Sequence, residues 1–179
     1  MLDKYIKWLE IGNILLIPFD TVWGLATDAT NCKAVKNIFA IKKRPLSKPI
    51  SVLMPNAHRK QGQFTYLVRY IKKPQLCQLC FSHKNNFVVG ERSIGKKYLI
   101  QKICATYGKP LTATSANFSD ELPTINFANA KKFYNQIPSY LQKNVMLVNS
   151  KIKLSGKPSG IIDLTGDQPQ KIERTAKNC

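Results

Sequence analysis

Five residues, Asn13-Ile14-Leu15-Leu16-Ile17, run directly into Pro18, a short polar turn and Gly24. The run is too short for a helix and apolar at consecutive positions, so it predicts a strand buried on both faces. A strand of this kind alternating with helices along the chain points to an α/β architecture. The turn that follows, Asp20-Thr21, puts backbone and hydroxyl groups at the strand's end, where α/β proteins commonly bind ligands.

The alternating helices are legible nearby. Leu2, Tyr5, Ile6 and Leu9 share one helical face over residues 1–11, and Gly12 supplies a stop. Thr30 or Asn31 can cap a second helix that buries Ala34, Val35, Ile38 and Phe39, and Pro45 disfavours helical geometry at Arg44. Further strands are expected at Ile50–Met54, Asn86–Gly90, Leu111–Thr114, Val145–Val148, Gly160–Leu164 and Lys171–Arg174. Helices are expected over Ala57–Ile71, Tyr98–Tyr107 and, behind an Asn126 cap, Phe127–Ile137. No repeat or linker divides the chain, so residues 1–179 read as one α/β domain. Strand order is not readable, and a mixed and a parallel sheet remain equally open.

Charge narrows the partners. Twenty-eight Lys and Arg face ten acids, for a net +18. A surface of that sign attracts polyanions, nucleic acid before an anionic membrane, although a general solubility charge gives the same count. The excess is spread along the chain and acts as a field over a folded surface. No apolar run is long enough to span a bilayer, and Asp3 and Lys4 interrupt any signal-peptide pattern, so a cytoplasmic protein is expected. Five cysteines at wide spacing read as reduced thiols. Cys77 and Cys80 form a CxxC with His83 beyond it, but packing explains buried cysteines better than zinc does, and no metal site is assigned.

Two clusters carry candidate chemistry. Lys42-Lys43-Arg44 sits at a helix end, with Lys48 on the next loop. Cations there are favoured by the helix dipole alone, and they also suit a phosphate or carboxylate clamp. Thr114-Ser115-Ala116-Asn117 ends a strand and can be a turn or a set of donors to a phosphate or acyl oxygen. Ser115 lacks a recognisable base, since the two histidines, His58 and His83, lie in no triad context. There is no GxxxxGK[ST] loop, so any ATP is held differently. Asp20 or Asp163 could help to hold Mg²⁺ or simply fix a turn.

Taken in order, the motifs resemble those of the YrdC/Sua5/TsaC family. Pro18-Phe19-Asp20-Thr21-Val22-Trp23-Gly24-Leu25 is similar to its opening motif. Lys42-Lys43-Arg44-Pro45 with Lys48 resembles its KxR segment, and Thr114-Ser115-Ala116-Asn117 its SxN segment. Pro158-Ser159-Gly160-Ile161-Ile162-Asp163 resembles its closing motif. The resemblance covers nearly the whole chain and implies a short, single-domain threonylcarbamoyl-AMP synthase. Such an enzyme makes threonylcarbamoyl-adenylate and pyrophosphate from L-threonine, bicarbonate and ATP. A threonylcarbamoyl-transferase complex then modifies A37 of tRNAs that read ANN codons.

The resemblance further implies an open twisted mixed sheet with helices packed on it and a positively charged concave face. It assigns Lys42, Arg44, Ser115 and Asn117 to a catalytic, ATP-binding tetrad, with Lys48 and Arg174 also approaching ATP. Thr21, Arg92 and Ser159 are assigned to threonine, and Mg²⁺ is expected with the nucleotide. An RNA-binding protein of the same fold, with little or no catalysis, is the alternative. This chain departs from the pattern at Phe19, Trp23 and Gly160, and after Arg92. Residues 72–90 also lack the family's Pro-Gly-Pro-x-Thr segment.

Overall fold

A computed structural model describes residues 2–56, 63–83, 87–119, 121–157 and 159–172. The apolar run forms strand β1 (Ile14–Pro18), and all five of its residues are buried. Helix α1 (Asp3–Glu10) precedes it, and the chain turns at Gly12, where φ is +77°. Behind β1 comes a strand that the sequence reading passed over as turn, β2 (Trp23–Ala26), paired antiparallel to β1.

Helix α2 (Cys32–Lys42) is capped by Asn31, whose side chain accepts from the Ala34 amide, so Asn31 rather than Thr30 is the cap. Its last turn closes on Lys43 in the left-handed region, φ 51°, before Pro45 is reached. Strand β3 (Ser51–Leu53) follows.

The next element corrects an expectation. Residues 64–69 are not helical; they form strand β4 (Phe64–Arg69), while 57–62 lie outside the described residues. The run Phe64-Thr65-Tyr66-Leu67-Val68 is aromatic and β-branched, and it pairs on both sides, antiparallel to the strand Val88–Ser93 and parallel to the strand Gly160–Asp163. After a 3₁₀ turn (Gln78–Cys80) come β5 (Phe81–His83) and β6 (Val88–Ser93), which carries Arg92. Helix α3 (Leu99–Tyr107) ends at Gly108, φ 75°, and leads to β7 (Leu111–Ser115). Helix α4 (Phe127–Asn135), capped by Asn126, precedes the short helix α5 (Ser139–Gln142), which was not foreseen. Strands β8 (Val145–Leu147), β9 (Gly160–Asp163) and β10 (Gln170–Ile172) finish the described chain.

Among the described residues the strands form one mixed sheet, ordered β10-β9-β4-β6-β3-β7-β2-β1-β8, with β5 beside β6. Alternate residues of the central strands feed opposite layers. Ile14, Leu16, Trp23, Leu25 and Val52 pack with α2 and α4. Leu15, Ile17, Ala26, Leu53 and Leu111 pack with α1 and α3. Trp23 lies 5.9 Å from Phe127 between ring centroids. Its buried Nε1 finds no acceptor among the described residues.

The cysteines also depart from expectation. Cys32, at the start of α2, is disulfide-bonded to Cys77, with Cα atoms 4.9 Å apart. The CxxC therefore does not act as a pair of free thiols. Cys80 and Cys104 are free and buried, and burial pushes both thiols up to about 12. No helix among the described residues is long and apolar enough to cross a membrane.

Candidate active site

The KxR and SxN segments meet because α2 ends beside the end of β7. Lys42 is 2 % exposed, and its Nζ donates to the Ser115 carbonyl at 2.5 Å, the Asn117 carbonyl at 2.7 Å and Asn117 Oδ1 at 3.1 Å. An ammonium has three donors, and these three acceptors use them all. Burial and then the nearby Arg44 charge push Lys42 down to about 7. Ser115 Oγ donates to Asn117 Oδ1 at 2.6 Å, and Asn117 Nδ2 donates to the Glu121 carbonyl at 2.7 Å. Lys42 thus locks the backbone and amide of a strand-end loop whose Ser115 and Asn117 stay half-buried.

Arg44 is turned differently. Its Nε donates to the Lys48 carbonyl at 2.9 Å and its Nη2 to the Pro49 carbonyl at 2.8 Å. These contacts hold the half-buried guanidinium against the loop that carries Lys48, whose own side chain is exposed.

A second cluster forms where β4, β6 and β9 meet. Arg92 is 8 % exposed, and its Nη1 donates to the Phe64 carbonyl at 2.7 Å and the Ser93 carbonyl at 3.0 Å. Its Nη2 reaches both carboxylate oxygens of Asp20, at 2.6 and 2.7 Å. Thr65 stands opposite Arg92 across the β4–β6 pair, and its hydroxyl lies 3.1 Å from that of Ser159. Thr21 is buried beside Asp20, and its carbonyl accepts from the Gly156 amide at 2.9 Å.

Ser115 of the first cluster and Arg92 of the second share one face of the sheet. Directly paired residues point to the same side, so Gly24 and Ser115 on β2 and β7, and Ala113 and Ser51 on β7 and β3, line one face. Gly90 of β6 continues the row, because a Cβ placed there would lie 2.8 Å from Ser51 Oγ. Small side chains thus floor the span between Ser115 and Arg92. The β1–β2 loop crosses this face. Phe19 lies over Gly24, where a Cβ would run into its ring, and Asp20 reaches on to Arg92.

Of the residues predicted from sequence, Lys42, Arg44, Ser115 and Asn117 gather around one strand end, and Thr21, Arg92 and Ser159 around the Asp20 loop. Arg174 lies outside the described residues. Two residues escaped assignment. Asp20 was read as a Mg²⁺ or turn residue and is instead the partner of Arg92. Thr65 belongs to Gln61-Gly62-Gln63-Phe64-Thr65, which keeps the Gly and Thr of the Pro-Gly-Pro-x-Thr pattern that was sought in 72–90. The β-branched and aromatic run at its end was the available signal.

Asp28 sits elsewhere, at the far end of β7. Burial opposes its charge, but donors from Thr30 and Tyr107 outweigh it and hold the carboxyl below its usual range. Among the described residues no group of three or more His, Cys, Asp or Glu is arranged to hold a metal.

The sequence model of the Sua5/YciO/YrdC family, described as "Telomere recombination", matches residues 7–176. The chain belongs to this family. Among curated proteins it is 30% identical to a threonylcarbamoyl-AMP synthase of Pseudoalteromonas translucida over 159 residues, 77% of this chain and 83% of that one. A threonylcarbamoyl-AMP synthase of Wigglesworthia glossinidia brevipalpis is 24% identical over 147 residues, 73% of this chain and 75% of that one. Among solved structures, P. abyssi Sua5 complexed with L-threonine superposes with a TM-score of 0.75 at 20% identity. The match covers 95% of this chain, which spans about half (52%) of that Sua5 chain. E. coli YciO gives 0.74 at 17% identity, covering 96% of this chain and 87% of that one. At such identities the superpositions speak for the fold, an α/β architecture with an open mixed sheet like that of Sua5 and YciO.

Proposed function

We propose that this protein is a threonylcarbamoyl-AMP synthase, joining L-threonine, bicarbonate and ATP into threonylcarbamoyl-adenylate with release of pyrophosphate. The observation that carries the reading is the pair of clusters whose Ser115 and Arg92 share one sheet face. One is cationic and rich in hydroxyl and amide groups; the other is built on a buried arginine among hydroxyls. The curated synthases that align with most of the chain support the same reaction.

In this reading ATP lies over the first cluster. Arg44, Lys48 and Arg174 offset charge on the phosphates and the departing pyrophosphate, and Ser115 and Asn117 hydrogen-bond phosphate and ribose-side groups. Lys42 contributes by holding Ser115 and Asn117 and by its buried charge. Threonine lies over the second cluster, its carboxylate toward Arg92 and its hydroxyl among Thr21, Thr65 and Ser159. No protein nucleophile is needed: the carbamate oxygen attacks the α-phosphorus, and the site's work is to position and neutralise. Mg²⁺ would enter with the nucleotide and offset phosphate charge. Asp20 and Asp163 are engaged by Arg92 and by Thr165.

The product's use is what the resemblance implies. A threonylcarbamoyl-adenylate is an activated acyl donor, here assigned to a transferase complex acting on A37 of tRNAs that read ANN codons. The +18 charge favours RNA near this surface, and a cytoplasmic location suits these substrates.

The test is pyrophosphate release dependent on ATP, bicarbonate and threonine together. Arg44→Ala is expected to lower it at least about tenfold, the loss of one charge-assisted contact. Folded wild-type protein without threonine-dependent turnover would refute the assignment.

A further inference from the structure

The loop that carries Ser115 and Asn117 has three consecutive carbonyls, and each is tied to protein. Lys42 Nζ takes the outer two, those of Ser115 and Asn117. The middle one belongs to Ala116, which is 1% exposed, so water cannot stand in for a lost donor there. The donor to it is the buried hydroxyl of Thr124. Thr124 lies outside every motif named above.

Thr124 is itself held in place. Its carbonyl accepts from the Trp23 amide at 2.8 Å, and the Trp23 carbonyl accepts from the Ala116 amide at 2.7 Å. With the hydroxyl bond, these close a ring through Thr124, Trp23 and Ala116. Strand β2 supplies the fixed side of the ring, since Gly24 and Leu25, next to Trp23, pair with Ser115 and Thr114. On the other flank the Ile125 carbonyl accepts from the Leu154 amide at 2.9 Å. The Ala116 carbonyl belongs to the planar peptide unit that joins Ala116 to Asn117. The Thr124 hydroxyl therefore fixes the plane from which the Asn117 side chain departs.

We propose that Thr124 is a positioning residue for the nucleotide, its hydroxyl setting the Ala116–Asn117 peptide so that Asn117 and Ser115 meet ATP in one orientation. This rests on the reading above that ATP lies over the Ser115–Asn117 loop. Thr124 acts through the loop and not on the substrate. Ser115 Oγ donates to Asn117 Oδ1, so a rotation of that peptide displaces both side chains together. The same rotation draws Asn117 Oδ1 away from Lys42. The threonine cluster does not share this dependence. Arg92 and Thr65 stand on β6 and β4, and Ser159 precedes β9. The bonds of Trp23 to Thr124 and Ala116 are made by backbone atoms, which any side chain at 124 leaves in place.

The test titrates variants of Thr124 calorimetrically with ATP and, separately, with L-threonine. Thr124→Val keeps the shape of the side chain and removes the hydroxyl. It should bind ATP about tenfold more weakly, with L-threonine affinity within about twofold of the wild type. Thr124→Ser restores the hydroxyl and should bind both as the wild type does. In steady-state pyrophosphate release, Thr124→Val should raise the KM for ATP and leave the KM for L-threonine unchanged. A folded Thr124→Val protein that binds ATP within about twofold of the wild type overturns the proposal. So does an equal loss of ATP and L-threonine binding, and so does a Thr124→Ser protein that behaves like the valine variant. If Thr124→Val does not fold, Thr124→Ala is measured in its place against the same limits. If neither folds, Thr124 serves the fold as a whole and the proposal fails. The ATP reading fails separately, through a wild-type protein that binds L-threonine but not ATP.

Discussion

Replacing Lys42 by methionine separates the lysine's charge from its bulk. The side chain is 2% exposed, and methionine fills a similar volume without a donor. Two opposed terms decide stability. The ammonium is pushed from 10.5 to about 7 by burial and then by Arg44, which corresponds to roughly 5 kcal/mol held against the charged form. Methionine removes that cost. It also strips the donor from the Ser115 carbonyl, the Asn117 carbonyl and Asn117 Oδ1, at about 1–3 kcal/mol each where water cannot replace it. The terms largely cancel, and the net change in folding stability should stay within about 3 kcal/mol. Nucleotide binding has no such compensation. With Asn117 and the Ser115 backbone released and one cation gone, ATP affinity should fall about 10- to 100-fold.

The pH dependence gives the sharper reading. As pH rises through about 7, Lys42 loses its charge and one of the three donors, so wild-type ATP affinity should decline across that range, while Lys42→Met stays flat. Stability moves the other way. Between about 7 and 10.5 the unfolded lysine still holds the proton that the folded one has released. The unfolded state then binds more protons, and this residue's contribution to stability rises with pH through that window. The assays are thermal unfolding and ATP titration of both proteins from pH 6 to 9. A Lys42→Met protein that binds ATP within twofold of the wild type, or a wild-type affinity that does not change with pH, would refute the reasoning.

Two further perturbations probe how the site is held. Gly24→Ala drives a methyl into the Phe19 ring and to 2.8 Å from the Thr114 carbonyl, and should cost about 2–3 kcal/mol in urea unfolding. Adding Phe19→Ala should recover part of that loss, and an unchanged urea midpoint in the single variant would contradict the crossing of Phe19 over the strand. The Cys32–Cys77 bond spans 45 residues, so Cys32→Ser should lower stability by up to about 4 kcal/mol. Intact mass without reductant, lower by two hydrogens than with it, checks that the bond is present.

What the sequence disclosed follows the range of the forces involved. Strand β1, helix α2 with its cap, and helix α3 with its glycine stop are set by local pattern, and each lies close to where it was read. Strand β4 is not, because its partners are remote: Thr65 pairs with Arg92 and Ile161, and no local periodicity marks the run. Strand β2 escaped for a related reason. Trp23-Gly24-Leu25-Ala26 holds a glycine that reads as a turn residue, yet the glycine is there so that Phe19 can cross the strand. Cysteine spacing suggested a CxxC unit, while α2 and the 3₁₀ turn bring Cys77 to Cys32 instead.

The candidate site divides along the same line. Residue types at strand and helix ends offered Lys42, Arg44, Ser115 and Asn117 as candidates and the resemblance grouped them, but neither told the two cations apart. Folding gives them two roles. Lys42 turns inward and spends its donors on the loop that carries Ser115 and Asn117, while Arg44 lies against the loop that carries Lys48. Asp20 is the extreme case, since its meaning depends on a guanidinium 72 residues away. A carboxylate in a turn is ordinary. The same carboxylate, buried and bonded through both oxygens to a guanidinium on β6, ties the loop that carries Phe19 and Thr21 across the sheet, at the cost of desolvating both charges.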